Sequence, residues 1–126
     1  MIKDHMKVLF QGDSITDAGR SRLSVTASSP EGMGFGYPRL VMEMYSDRYP
    51  DRQVQFYNRG VSGDRIQDLV SRWPGDTISL QPDLISVLIG VNDTWNYLSL
   101  GLGASPEKYR HIYRQLLQDT RGELPG

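Results

Sequence analysis

The segment Gly12-Asp13-Ser14-Ile15-Thr16 follows closely on the apolar run Val8-Leu9-Phe10. A strand that exits through Gly-Asp-Ser sets a serine hydroxyl at the carboxyl edge of a sheet, where open α/β sheets bind their ligands. Gly12 permits a sharp exit, and the backbone N–H groups that follow can face a developing oxyanion. A serine hydroxyl is a poor nucleophile at neutral pH and needs a base within hydrogen-bond reach. Taken alone, Ser14 is explained as well by capping the turn. Two further segments support nucleophilic chemistry, and each also follows an apolar run: Asn58-Arg59-Gly60-Val61-Ser62-Gly63-Asp64 and Gly90-Val91-Asn92-Asp93. Alone, Gly60 is an ordinary strand-exit glycine and Asn92 an ordinary Asx turn.

Together the three segments resemble the SGNH hydrolases, the GDSL-like lipase/acylhydrolase family. Gly12-Asp13-Ser14 matches the first block, Gly60 centres the second, and Gly90-x-Asn92-Asp93 matches the third. The resemblance implies that Ser14 is the nucleophile of an ester hydrolysis. It also implies an oxyanion hole built from the Ser14 N–H, the Gly60 N–H and the Asn92 side-chain amide. Each such donor is worth about 3–4 kcal/mol when aimed at the charge that forms in the transition state. No cofactor is implied. The sequence details are most similar to bacterial members acting on small, often carbohydrate-borne, acyl esters.

The family's catalytic base is a histidine in an Asp-x-x-His block, and no such block occurs here. The sequence has two histidines, His5 and His111. With Tyr109, Ile112, Tyr113 and Leu116 taken as a buried stripe, His111 stands about 200° from Tyr109 at about 100° per residue, facing solvent. His5 precedes the first strand, at the end of the sheet remote from Ser14. Neither can serve Ser14. The acidic residues Asp13 and Asp93, with Asp17 and Asp64 nearby, could be mistaken for a metal site. Acids placed after parallel strands more often satisfy loop N–H groups, and no metal is expected. Arg20 and Arg22 are weak candidates for contact with an anionic substrate. Trp95-Asn96-Tyr97 could form a platform for a sugar ring or acyl chain, or pack into the core.

The elements that must position these residues alternate in type. Lys7–Gln11 reads as a strand, followed by a long Ser- and Gly-rich loop over 18–35. A helix is predicted from about Tyr37 to Tyr49, with Tyr37, Leu40, Val41, Met44, Tyr45 and Arg48 at helical spacing. Val54–Asn58 reads as a second strand. Asp64, with Gln67 three residues on, can cap a helix that buries Ile66, Leu69, Val70 and Trp73 and closes at Pro74-Gly75. Asp76 caps a short turn through Leu80. Leu84–Ile89 is apolar on both faces, as in a strand covered by helices on two sides. A last helix spans about Ser105 to Arg121. Strand–helix alternation implies parallel strands joined by right-handed crossovers, hence a three-layer α/β/α sandwich. The resemblance adds the strand order: strand one between strands two and three, with further strands beyond the third.

Length and composition narrow the class. At 126 residues the chain is one domain at most. It reads as the N-terminal part (1–126) of a single hydrolase domain, with the C-terminal strands missing. The 14 basic and 15 acidic side chains nearly balance, which argues against nucleic acid or acidic lipid as partner. With no cysteine there are no disulfides or thiolate metal sites. No apolar stretch approaches transmembrane length, and the N-terminus has no room for a signal peptide before the first strand. The expected setting is cytoplasmic, with a small acyl ester as substrate. The bare third strand implies self-association or a complementing C-terminal segment. Two other readings stay open: a non-catalytic truncated homologue acting as a binding or assembly module, and a flavodoxin-like phosphate-binding domain. The latter is disfavoured because Gly-Asp-Ser-Ile-Thr lacks the glycines of a phosphate cradle.

Overall fold

Alternation along the first strand, β1 (Lys7–Gly12), sends Val8 and Phe10 to one face and Leu9 and Gln11 to the other, and all four are buried. A strand buried on both faces belongs at the centre of a sheet. The computed structural model, which describes residues 1–125, places it there. β2 (Gln55–Asn58) and β3 (Leu84–Leu88) flank it in the order β2-β1-β3, both parallel to it. The expected order and the three-layer α/β/α architecture both hold.

The helices fill the two faces. α3 (Tyr37–Arg48) covers one, where Val8, Phe10, Met33, Met42 and Phe56 form a core. α4 (Ile66–Asp76) and α6 (Pro106–Glu123) cover the other, where Ile66, Leu69, Trp73, Ile89 and Leu116 pack with the inner side chains of β3, Ile85 and Val87. Three shorter helices complete the chain: α1 (Ser14–Asp17), α2 (Pro30–Met33) and α5 (Val91–Leu100). A 3-10 turn covers Ile78–Leu80. Among the described residues, no helix is long and apolar enough to cross a membrane.

Several local expectations are corrected. α3 buries Pro38 and Met42 and half-buries Tyr37 and Tyr45, while Leu40 and Met44 of the expected stripe are exposed. This helix has apolar residues on two faces, and periodicity cannot say which one meets the sheet. In α4, Val70 is not in the core. Pro74 does not close that helix but lies inside it, near its C-terminal end at Asp76. The cap of α4 is built neither by Asp64 nor by Gln67. The Arg65 N–H donates to Asp68 Oδ2 at 2.9 Å instead. Asp76 does not cap the following turn; Thr77 occupies the cap position without a side-chain bond. Finally, the segment 18–35 is not all loop. α2 interrupts it, Met33 enters the core, and Ser28 bonds to β2 through its N–H to Phe56 O at 2.8 Å.

Candidate active site

Three strand exits meet at the carboxyl edge of the sheet. β1 leads through Gly12 into α1, whose N-cap Asp13 is buried and accepts the Ile15 N–H at 3.0 Å through its side chain. That bond orders the turn, as expected of Asp13, and leaves Ser14 exposed at the first position of α1. A Cβ on Gly12 would collide with the Leu88 carbonyl and the Thr16 hydroxyl, so only glycine lets α1 fold back so tightly against β3.

The Gly60 segment lies directly against α1. Val61 N–H donates to Gly12 O at 3.0 Å, and Arg59 N–H to Phe10 O at 2.9 Å. A Cβ on Gly60 would stand 2.5 Å from Asp17 N and 2.9 Å from Thr16 Cβ. Buried Asn58 organises this exit: its Nδ2 donates to Thr16 O (2.7 Å) and Met33 O (2.8 Å), and its Oδ1 accepts the Gly60 N–H (2.9 Å). The Gly60 carbonyl takes Arg20 Nε at 2.8 Å. The Gly60 donor is therefore held by Asn58, and an oxyanion would have to share it or displace that oxygen.

Asn92 enters from the third exit, half-buried in the first turn of α5, a helix the sequence reading leaves undrawn. Its Nδ2 donates to Asp64 O at 3.0 Å. An amide nitrogen carries two N–H groups, so one donor remains for a ligand. The next residue, Asp93, is buried and binds the Ile66 N–H with both carboxylate oxygens, at 3.2 and 2.9 Å. Asp93 thus caps α4 as well as standing in the turn that carries Asn92. Burial pushes its pKa up, against the pull of the Ile66 N–H and Arg65.

Charged side chains lace the exits together. Buried Asp17 accepts from Ser62 N–H (3.0 Å), Ser62 Oγ (3.1 Å) and Arg22 Nη2 (3.0 Å). Burial raises its pKa, but the bonds from Ser62 and the charges of Arg22 and Arg20 outweigh this and hold it below the ordinary value. Burial, with Arg22 beside it, pulls Arg20 down to about 10, so it stays charged at neutral pH. Arg20 and Arg22 are thus committed largely to the protein's own loops. Among the described residues, no group of three or more metal-ligating side chains stands together. The sequence reading misses Asn58, the Asp17–Ser62 pair and Arg72. A polar residue on the inward side of the Val54–Phe56–Asn58 alternation is the signal that could have found the first.

The remaining candidates separate. His5 is exposed and its backbone N–H bonds Gln53 O, at the entry to β1 and β2. His111 is exposed on α6. Trp95 is 67% exposed, so it does not pack into the core. Tyr97 lines a groove of about 440 Å³ with Gly90, Asp93, Leu98 and Tyr109. The Tyr109 hydroxyl donates to Ile89 O at 2.6 Å, and burial raises its pKa to about 12.

The comparisons with known proteins give the family to which this turn and this sheet belong. The sequence model of the GDSL-like lipase/acylhydrolase family matches residues 10–126, and the chain belongs to that family. An acetylxylan esterase of Geobacillus stearothermophilus is 38% identical over 95% of this chain and 56% of its own length. Among solved structures, a GDSL-like lipase from Parabacteroides merdae superposes with a TM-score of 0.93 at 40% identity. It covers 99% of this chain, which spans 57% of it. The Geobacillus acetylxylan esterase superposes with a TM-score of 0.89 at 34% identity, over 99% of this chain and 58% of the esterase. The chain therefore spans a little over half the length of these relatives.

Proposed function

We propose that this chain carries the nucleophile half of a serine ester hydrolase acting on small acyl groups, acetyl foremost, borne by xylan-type sugars. The observation that carries the reading is the exposed Ser14 at the start of α1, flanked by the Gly60 and Asn92 exits. The Ser14 oxygen attacks the ester carbonyl and gives up its proton to a base. The carbonyl oxygen becomes an oxyanion that the Ser14 N–H, the Gly60 N–H and the free Asn92 N–H would bind. Collapse, with the base returning its proton to the leaving oxygen, expels the sugar as an alcohol and leaves an acyl group on Ser14. Water then attacks that ester, releasing the free acid and restoring the serine hydroxyl. The substrate class follows from the relatives, one of which is an acetyl-xylooligosaccharide esterase.

The base would come from polypeptide outside these 126 residues, because His5 and His111 both lie away from Ser14. Catalytic mutants of the Geobacillus esterase alter a serine, an aspartate and a histidine, consistent with a base of the usual kind in that protein. The absence of a histidine beside Ser14 is also what favours a second reading, a non-catalytic binding or assembly module.

The test is incubation of the chain with p-nitrophenyl acetate, following both turnover and the mass of the protein, with Ser14→Ala as control. The expected result is very weak or absent turnover, with slow acetyl transfer to Ser14, since a site without its base keeps only residual catalysis. Failure of acetyl ever to reach Ser14 favours the module. Fast turnover abolished by Ser14→Ala would mean that a base exists within these residues.

A further inference from the structure

We propose that Arg72, which lies outside all three motif segments, is the positioning residue that holds them in one frame and orients the Gly60 donor. The inference rests on the ester-hydrolase reading above. Arg72 sits in the middle of α4 with its side chain 18% exposed. Its Nε donates to Asp64 Oδ2 at 2.7 Å. Its Nη1 reaches Gln11 Oε1 (2.8 Å), Arg59 O (2.7 Å) and Asp76 Oδ2 (3.0 Å), and its Nη2 reaches Gly12 O (3.1 Å).

Three of these contacts, those to Gly12 O, Arg59 O and Asp64, fall one step from a proposed catalytic group. Gly12 O belongs to the peptide that leads into Asp13 and Ser14. Arg59 O and the Gly60 N–H belong to one planar peptide unit, so fixing the carbonyl fixes the direction of the donor. Asp64, whose carboxylate Arg72 holds, offers its backbone carbonyl to Asn92 Nδ2. One guanidinium therefore meets the exits of β1 and β2 directly and that of β3 through Asp64. A cation on Arg59 O also polarises the peptide, which strengthens the Gly60 N–H as a donor. Every buried side-chain polar atom among the described residues has a partner, so the network is complete as built. A lysine could keep the charge but not the fork that spans these acceptors.

The experiment compares the 15N-labelled chain with Arg72→Lys and Arg72→Gln, each first checked for cooperative melting. We expect the Gly60 amide and the Asn92 side-chain amide resonances to move in both variants, more in Arg72→Gln. Exchange of the Val61 amide, which bonds Gly12 O, should quicken roughly tenfold or more, because the loop it pins is freed. The rate of acetyl transfer from p-nitrophenyl acetate to Ser14 should fall roughly tenfold to a hundredfold, the scale of a misplaced reacting group. Its half-saturating concentration should change less than about twofold.

A folded variant with unchanged Gly60, Val61 and Asn92 signals would overturn the assignment. So would a loss of transfer that comes from weaker binding alone. Arg72→Lys, which keeps a cation between Asp64 and Asp76, carries the test should Arg72→Gln not fold. If the parent chain transfers no acetyl to Ser14, the hydrolase reading fails, and the resonance and exchange results still decide whether Arg72 frames the three exits.

Discussion

Asp93 and Ile66 tie the exit of β3 to the exit of β2: both carboxylate oxygens of Asp93 stand within 3.2 Å of the Ile66 N–H. The helix N-terminus supplies an otherwise unpartnered donor and a partial positive charge, and the acid from 27 residues away answers both. The bond fixes α4, and α4 carries Arg72.

Removing that acceptor leaves a buried N–H without a partner. Asp93→Ala is expected to destabilise the fold by about 1–3 kcal/mol. Asp93→Asn keeps an acceptor oxygen and should recover most of the loss. It also removes a charge whose burial raises the pKa, so ionisation of Asp93 opposes folding as pH rises through the carboxylate range. Urea unfolding of both variants at neutral pH checks the order. Equal losses would mean that the Ile66 bond contributes nothing.

Asp17 carries the opposite sign. Its folded pKa lies below the ordinary 3.8, so the unfolded chain binds more protons in that interval and stability rises with pH there. The contribution is complete above the ordinary carboxylate range and fades as pH falls through the folded value. The stability gap between the parent and Asp17→Asn should therefore be widest near neutrality and narrow on acidification. Unfolding midpoints measured from neutral pH down to about pH 3 would reveal a constant gap if the Ser62 and Arg22 contacts do not favour the ionised form.

Gly60 tests how closely two exits must approach. A methyl group there meets Asp17 N at 2.5 Å and Thr16 Cβ at 2.9 Å, both parts of α1 that cannot swing aside. Gly60→Ala should cost about 1–3 kcal/mol, as overpacking does, and push α1 away from the β2 exit. Acetyl transfer to Ser14 should fall by more than the loss of folded protein accounts for. An alanine variant with unaltered stability would show that the loop yields without disturbing α1.

The sequence made the strands and the meeting of three exits readable because each depends on local signals: apolar runs, strand-exit glycines, and Ser or Asn just beyond. What it left unread is non-local. α5 lies in a stretch with no clean apolar stripe, since Trp95, Leu98 and Leu100 are largely exposed. The partners of Asp93, Asp17 and Arg72 lie 27, 45 and up to 61 residues away, beyond any spacing rule. Asp64 has the composition of a helix cap, yet Arg72 draws its carboxylate away and Asp68 takes the cap. The strength of a charged hydrogen bond decided that contest, and local propensity did not.

The outer side of β3 carries the last prediction. β3 pairs only with β1, and no strand lies on its other side among the described residues. By the pleat, Leu84 and Leu88 share the face of Val8 and Phe10, yet they remain 42% and 46% exposed. On the opposite face, Leu117 of α6 is 47% exposed and lines a groove of about 670 Å³ with Tyr109 and Tyr113. An apolar strand with free N–H and C=O groups invites a further strand, and exposed apolar side chains along it favour association. We expect the chain to self-associate through β3 or to bind a complementing C-terminal segment. Leu84→Lys with Leu88→Lys should shift it toward monomer by placing charge on that edge. Size-exclusion chromatography with light scattering at micromolar concentration measures the outcome. A parent chain that is already a cooperatively melting monomer would show β3 to be a self-sufficient border, and would strengthen the module reading over the half-hydrolase.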